Sequence, residues 1–121
     1  MPAQPKRSLS SLPLIRGTQI GLREPAQVDR LKASMRVGEF AFHELDLRIS
    51  GLRDTRGTYY VKDGHHRMTA ALELAQETDD PTPVFELLRF GWWSEVTHPP
   101  NDARPMPARD WWGAFRNWLG W

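Results

Sequence analysis

The residues best suited to chemistry stand together in one stretch, Asp63-Gly64-His65-His66-Arg67. A carboxylate, two imidazoles and a guanidinium in consecutive positions provide acid-base groups as well as donors for a charged oxygen. Each of these side chains, taken alone, is more often a capping, solvated or ion-pairing residue. The cluster adds little stability that Ser or Asn would not provide more simply, so we expect a functional site here.

The stretch lies where a predicted strand ends and a predicted helix begins. Tyr59-Tyr60-Val61 is aromatic and β-branched, whereas the run from Met68 to Ala75 is rich in Ala and Leu. Gly64 permits a tight turn, and the first N–H groups of a helix lack partners while the helix dipole places positive charge beside them. This helix start therefore suits a phosphate. The expected phosphate or nucleotide donors are Gly64, His66, Arg67 and Thr69.

The same stretch resembles the signature of the ParB/sulfiredoxin superfamily, in which an Asp-Gly-x-His-Arg turn followed by an Ala-rich helix holds nucleotide phosphates. The matching residues are Asp63, Gly64, His66, Arg67, Ala70 and Ala71. The order of predicted elements up to Phe90 is also similar to that of sulfiredoxin. The resemblance implies an α+β fold, with a small mixed sheet and packed helices, and ATP or another nucleotide as ligand.

One position departs from sulfiredoxin. That family carries its nucleophilic cysteine immediately before the His-Arg pair, whereas this chain has His65 there and contains no cysteine. Without a thiolate, no attack on a sulfinyl phosphate can occur, so the sulfur chemistry of sulfiredoxin is excluded. The resemblance still implies that the turn and the helix start bind the phosphate groups of a nucleotide.

Length, composition and charge limit the classes of protein to consider. A chain of 121 residues with 40% hydrophobic and 26% charged residues suits one globular domain. The net charge of +1 does not by itself indicate DNA binding, which would need a local basic patch. The chain has no apolar run of roughly twenty residues and no signal-peptide core, so we expect no membrane partner. We expect a cytoplasmic location, or secretion if the chain is an effector.

Three segments precede the turn on the N-terminal side. Residues 1–13 suit a flexible arm, residues 14–22 alternate imperfectly and predict a first strand, and residues 25–37 have apolar residues at helical spacing. Glu24 follows the first strand, whose end the resemblance places near the turn, so it is a candidate base or metal ligand. Arg36 lies near the end of the helix, where the resemblance implies contact with nucleotide.

Two further strands and a hairpin are expected around the turn. Residues 41–49 alternate apolar and polar side chains and predict a strand. Residues 51–57 are expected to be a polar loop that leads into a strand at 58–61, forming a hairpin that delivers the chain to the turn. Residues 82–90 are β-branched and aromatic, which predicts a last strand and completes a domain of residues 14–90.

The tail, residues 91–121, lies outside the resemblance and contains all six tryptophans. Asp110 is expected to cap a short helix that runs through Leu119. In one interpretation this helix packs on the domain and its rings join the core. In the other, exposed tryptophans and neighbouring arginines form a stacking surface for bases or for a partner protein.

The expected chemistry is phosphoryl transfer or phosphodiester hydrolysis. Asp63 or Glu24 would hold a divalent metal ion such as Mg²⁺, His65 would act as acid or base, and Arg67 with the backbone N–H groups would hold the charged oxygens. The leading hypothesis is an ATPase or nuclease of ParB/sulfiredoxin fold. One alternative is a non-catalytic nucleotide- or DNA-binding module of plasmid or phage type, and another is an antibacterial toxin domain.

Overall fold

A computed structural model describes residues 8–107, which form a five-stranded mixed sheet and three α-helices. This architecture is α+β, as expected. The strands are β1 (Ile15–Gly17), β2 (Ser50–Asp54), β3 (Tyr59–Asp63), β4 (Trp92–Val96) and β5 (Arg104–Pro105). The helices are α1 (Pro25–Arg36), α2 (His65–Thr78) and α3 (Thr82–Phe90), with short 3-10 turns at Leu9–Ser11 and Leu45–Leu47. No helix within residues 8–107 has the length and apolar character needed to cross a bilayer.

The sheet places β3 at its centre, in the order β4-β2-β3-β1-β5. β3 runs parallel to β1 and antiparallel to β2, whereas β4 is parallel to β2 and β5 is antiparallel to β1. Parallel strands end at the same edge of a sheet, so the loop after β1 lies beside the turn that follows β3. The topology thus brings residues 18–24 to the start of α2.

One hydrophobic core joins the helices to the sheet. Val28 and Met35 of α1 and Met68, Leu72 and Ala75 of α2 are all buried, at the helical spacing that the sequence predicted. Ala70 and Ala71 are fully buried as well, which permits close packing of α2. Between the helices, Lys32 Nζ of α1 donates to Glu73 at 2.9 Å and to Glu77 at 2.7 Å.

The hairpin partner of β3 is not the predicted one. Residues 41–49 contain no strand and pass through a 3-10 turn, whereas β2 lies in the segment predicted to be a polar loop. Gly51 allows this pairing, because a Cβ there would meet the backbone of Tyr60 on β3. Pairing with β3 on one side and β4 on the other provides the hydrogen bonds that a short polar strand needs.

Residues 82–90 form helix α3 and not the predicted last strand. Val84, Leu87 and Leu88 are buried at spacings of a helix, so tertiary packing outweighs the β-branched and aromatic composition. The carboxylate of Asp80 accepts from the N–H and from the hydroxyl of Thr82, which satisfies donors at the start of α3.

The sheet also extends beyond residue 90. β4 and β5, from the segment assigned to the tail, pair with β2 and β1. Leu9 and Leu12, from the segment assigned to a flexible arm, are partly buried against the core. The helix expected from Asp110 lies outside the described residues.

Two of the six tryptophans fall within the described part of the chain. The Trp93 indole N–H donates to the Leu88 carbonyl at 2.9 Å, and its ring meets the edge of Tyr59 at 4.8 Å between centroids. Trp92 is 52% exposed, and the guanidinium of Arg48 lies 5.4 Å from the centre of its ring. One tryptophan is therefore packed and the other is largely exposed.

Candidate functional site

The turn between β3 and α2 has the strand, glycine and helix order that the sequence predicted. Gly64 precedes α2 with φ +104°, and as a glycine it has no side chain with which to cap the first N–H groups of the helix. The Gly64 carbonyl accepts from the N–H of Met68 at 2.9 Å. A Cβ at Gly64 would overlap the side chain of Ile49, lying 2.8 Å from its Cβ atom. Glycine is thus required both by the backbone angle and by the close packing.

His65 is buried, and its ring stabilises the turn by hydrogen bonds to the backbone. It is 4% exposed, and its Nε2 accepts from the N–H of Thr18 at 3.0 Å. The ring also hydrogen-bonds the backbone of Val61, whose carbonyl accepts from the Thr18 hydroxyl at 2.9 Å. Burial, with a smaller contribution from His66, lowers the pKa of His65 below its ordinary value, while Asp63 and Val61 oppose that shift. The imidazole is therefore held neutral.

His66 connects the turn to the residue before α1. Its Nε2 accepts from the backbone N–H of Glu24 at 3.1 Å, so the structure brings Glu24 and the turn together as expected. Glu24 precedes α1, and its side chain does not cap that helix. The two adjacent imidazoles bond different backbone groups of the same loop.

Arg67 extends to another segment of the chain. Its Nη1 donates to the carbonyl of Arg48 at 2.9 Å, which uses one of the five N–H groups of the guanidinium. The side chains of His65, His66 and Arg67 thus contact three separate backbone groups, and these bonds fix the turn against its neighbours.

Two predicted donors lie elsewhere. The Thr69 hydroxyl is buried and donates to the carbonyl of Pro107 at 3.1 Å. Arg36 pairs with Glu77 at 2.5 Å, near the far end of α2. At about 1.5 Å per residue, Glu77 lies roughly 18 Å along the helix from His65. The structure therefore does not bring Arg36 to the turn.

The predicted metal ligands are carboxylates at the edge of the turn. Asp63 is exposed, and Glu24 approaches the turn through its backbone. Within residues 8–107, no group of three or more His, Cys, Asp or Glu residues is arranged to hold a metal ion. A magnesium ion at Asp63 and Glu24 stays a prediction.

The residues that hold the turn in place were not predicted from the sequence. Thr18 and Arg48 bond the side chains of His65 and Arg67 through backbone atoms, which leave no signal in residue type, and Ile49 acts by packing on Gly64. Comparison of the chain with protein-family models, with curated proteins and with solved structures gave no match.

Proposed function

We propose that the chain binds the phosphate groups of a nucleotide at the start of α2. In this proposal it is a small ParB/sulfiredoxin-like protein that hydrolyses a phosphate bond, as an ATPase or a nuclease. The observation that carries the proposal is the glycine that precedes α2, which provides no side-chain cap for the leading N–H groups. Such groups, together with the helix dipole, favour an anion.

The neighbouring side chains add donors of the right kind. Because Nε2 of His66 accepts a hydrogen bond, the proton of the neutral ring lies on Nδ1, which supplies a donor for an oxyanion. Arg67 keeps N–H groups beyond the one bonded to Arg48, and its charge complements a phosphate. These bonds also preorganise both side chains, which lowers the entropic cost of binding.

One observation favours the second candidate, a binding module without turnover. His65, the expected acid or base, has its ring bonded to the backbone of Thr18 and of Val61. A ring held in this way positions the turn and would have to break a bond before it could exchange a proton with substrate. The toxin function and the contact with DNA stay predictions from the sequence.

The experiment compares nucleotide affinity and turnover in three proteins. Binding of ATP and CTP, phosphate release and plasmid nicking are measured with and without magnesium for the unchanged chain, Arg67→Gln and Arg30→Gln. Arg30 is an exposed arginine of α1 and serves as the matched control for loss of one positive charge.

Loss of affinity by about tenfold or more in Arg67→Gln alone, equivalent to about 1.4 kcal/mol, supports the proposal. Turnover in the unchanged chain then identifies an enzyme, whereas binding without turnover identifies the binding module. Equal affinity in all three proteins, or no binding at all, would overturn the proposal.

A further inference from the structure

A polar cavity lies on the sheet, away from the turn. Its volume is about 560 Å³, within the usual range of ligand pockets. Its polar lining includes Arg16, Asp54, Arg56, Tyr60 and His98.

The cavity occupies the face of the sheet opposite the helices. Arg16 and Tyr60 are paired on the parallel strands β1 and β3, and side chains alternate along a strand. Their neighbours Ile15 and Val61 belong to the core, so Arg16 and Tyr60 face the other way. Residues 97–99 and Ala103, from the connection between β4 and β5, line the cavity as well.

The cavity is separate from the turn. Thr58, which lines it, stands six residues before Gly64, a distance of roughly 20 Å along an extended chain. A ligand in the cavity would therefore contact the start of β3, whereas the proposed nucleotide site follows the end of that strand. This inference does not rest on the proposed function.

Among the described residues that line the cavity, Asp54 is the one carboxylate, and groups of the fold already bond both of its oxygens. Oδ1 accepts from the N–H groups of Arg56 at 2.9 Å and Thr58 at 3.0 Å, and Oδ2 accepts from the Tyr60 hydroxyl at 2.7 Å. Asp54 and Tyr60 are 6% and 2% exposed. The bond from Tyr60 is the main cause that lowers the pKa of Asp54, and burial opposes it. The N–H bonds from Thr58 and Arg56 and the positive charge of Arg56 lower this pKa further. Asp54 is thus committed to the fold.

Two guanidinium groups in the lining, those of Arg16 and Arg56, can still donate hydrogen bonds to a ligand, although the charge of Arg56 also acts on Asp54. Arg16 and Arg56 form no ion pair and no side-chain hydrogen bond with other residues in the 8–107 range. Guanidinium groups match carboxylate and phosphate oxygens in pairs. The remaining lining provides hydroxyl groups, an imidazole and an apolar wall, at Thr55, Thr97, His98, Leu14, Pro99 and Ala103.

We propose that this cavity binds a small organic molecule through a compact oxyanion, a phosphate ester or a carboxylate, which Arg16 and Arg56 contact. The apolar side of the cavity, formed by Leu14, Pro99 and Ala103, contacts the organic part of this molecule. The hydrogen bonds around Asp54 fix the backbone of the turn that carries Arg56, which lowers the cost of ordering this part of the cavity around the anion.

The test is an amide NMR titration of the full chain with phenyl phosphate, succinate and inorganic phosphate. We expect phenyl phosphate or succinate to bind once per chain and to shift amides at 54–60 and 97–103, and the tighter of the two identifies the oxyanion. Arg56→Gln, on an exposed turn, should weaken binding by about tenfold or more, as should Arg16→Gln, whereas Arg30→Gln should not. Ala103→Trp, which fills the cavity and keeps both arginines, should prevent binding.

Three results would overturn the inference. The first is no binding of either organic probe, and the second is unchanged affinity in Arg56→Gln and Ala103→Trp. The third is a set of shifts confined to residues 63–68, which would place the anion at the turn. Equal affinity for inorganic phosphate and phenyl phosphate would contradict the role given to the apolar wall.

Discussion

Nε2 of His65 accepts a hydrogen bond from the backbone N–H of Thr18 across 3.0 Å, although the two residues are 47 positions apart in the chain. This bond joins the loop after β1 to the first residue of α2. Because the ring is also bonded to Val61 and is buried, the helix start is held at a fixed place beside that loop. A residue that the sequence suggests for catalysis thus positions the proposed phosphate site.

The lowered pKa of His65 predicts an acid-sensitive fold. The pKa in the folded state lies below the ordinary value of 6.5, so below pH 6.5 the unfolded chain binds more protons than the folded one. The contribution to stability is therefore complete above pH 6.5 and is lost as the pH falls towards the folded-state pKa. Urea unfolding between pH 8 and pH 5 should show the free energy of unfolding falling more steeply for the unchanged chain than for His65→Gln. Parallel curves for the two proteins would contradict this role, since His65 is the one group in which they differ.

Gly64 and Gly38 provide a matched test of packing at the turn. Both have positive φ, +104° and +78°, but a Cβ at Gly38 meets nothing within 4 Å whereas one at Gly64 overlaps Ile49. Gly38→Ala should cost about 1–2 kcal/mol from backbone strain alone. Gly64→Ala should cost about 3 kcal/mol or more, because the overlap adds to the strain. Urea unfolding measures both, and similar losses would show that the contact with Ile49 is easily relieved.

The hydrogen bond from the Thr69 hydroxyl to Pro107 is predicted to stabilise the packing of the segment after β5 on α2. Thr69→Val keeps the shape of the side chain and removes the hydroxyl bond to Pro107, which should lower the free energy of unfolding by about 1–2 kcal/mol. Thr78→Val on the same helix removes a hydroxyl bond to the Leu74 carbonyl, which the helix does not need. Thermal unfolding should therefore show a clear drop in Tm for the first variant and little change for the second. An equal loss of Tm in the two variants would show that a Val in α2 destabilises the helix itself, and that the bond from Thr69 to Pro107 adds nothing.

The sequence predicted the elements that have a clear local pattern of residue types. Helix α1 and the passage from β3 into α2 follow from apolar residues at helical spacing and from an aromatic strand before a glycine. The sequence did not predict strand β2 or helix α3, because tertiary contacts outweigh local composition in both segments. Ser50–Asp54 is too polar to be recognised as a strand, and its pairing on both sides is visible only in the sheet.

The candidate site was predictable in its position but not in its contacts. Residue types at 63–67 identified the turn, whereas the groups that these side chains bond belong to the backbone of Thr18, Glu24 and Arg48. The cavity on the other face had no signal, because Arg16 and Arg56 come together only through the pairing of β1 with β3 and the turn after β2.

The most direct measurement of the central claim is an amide NMR titration with ATP, made on the unchanged chain and on Arg67→Gln. If nucleotide phosphate binds at the start of α2, the N–H signals of residues 64–68 should shift first and in proportion to occupancy, and Arg67→Gln should reduce that response. Signals of residues 64–68 that stay in place at saturating ATP, or that move equally in both proteins, would contradict the account.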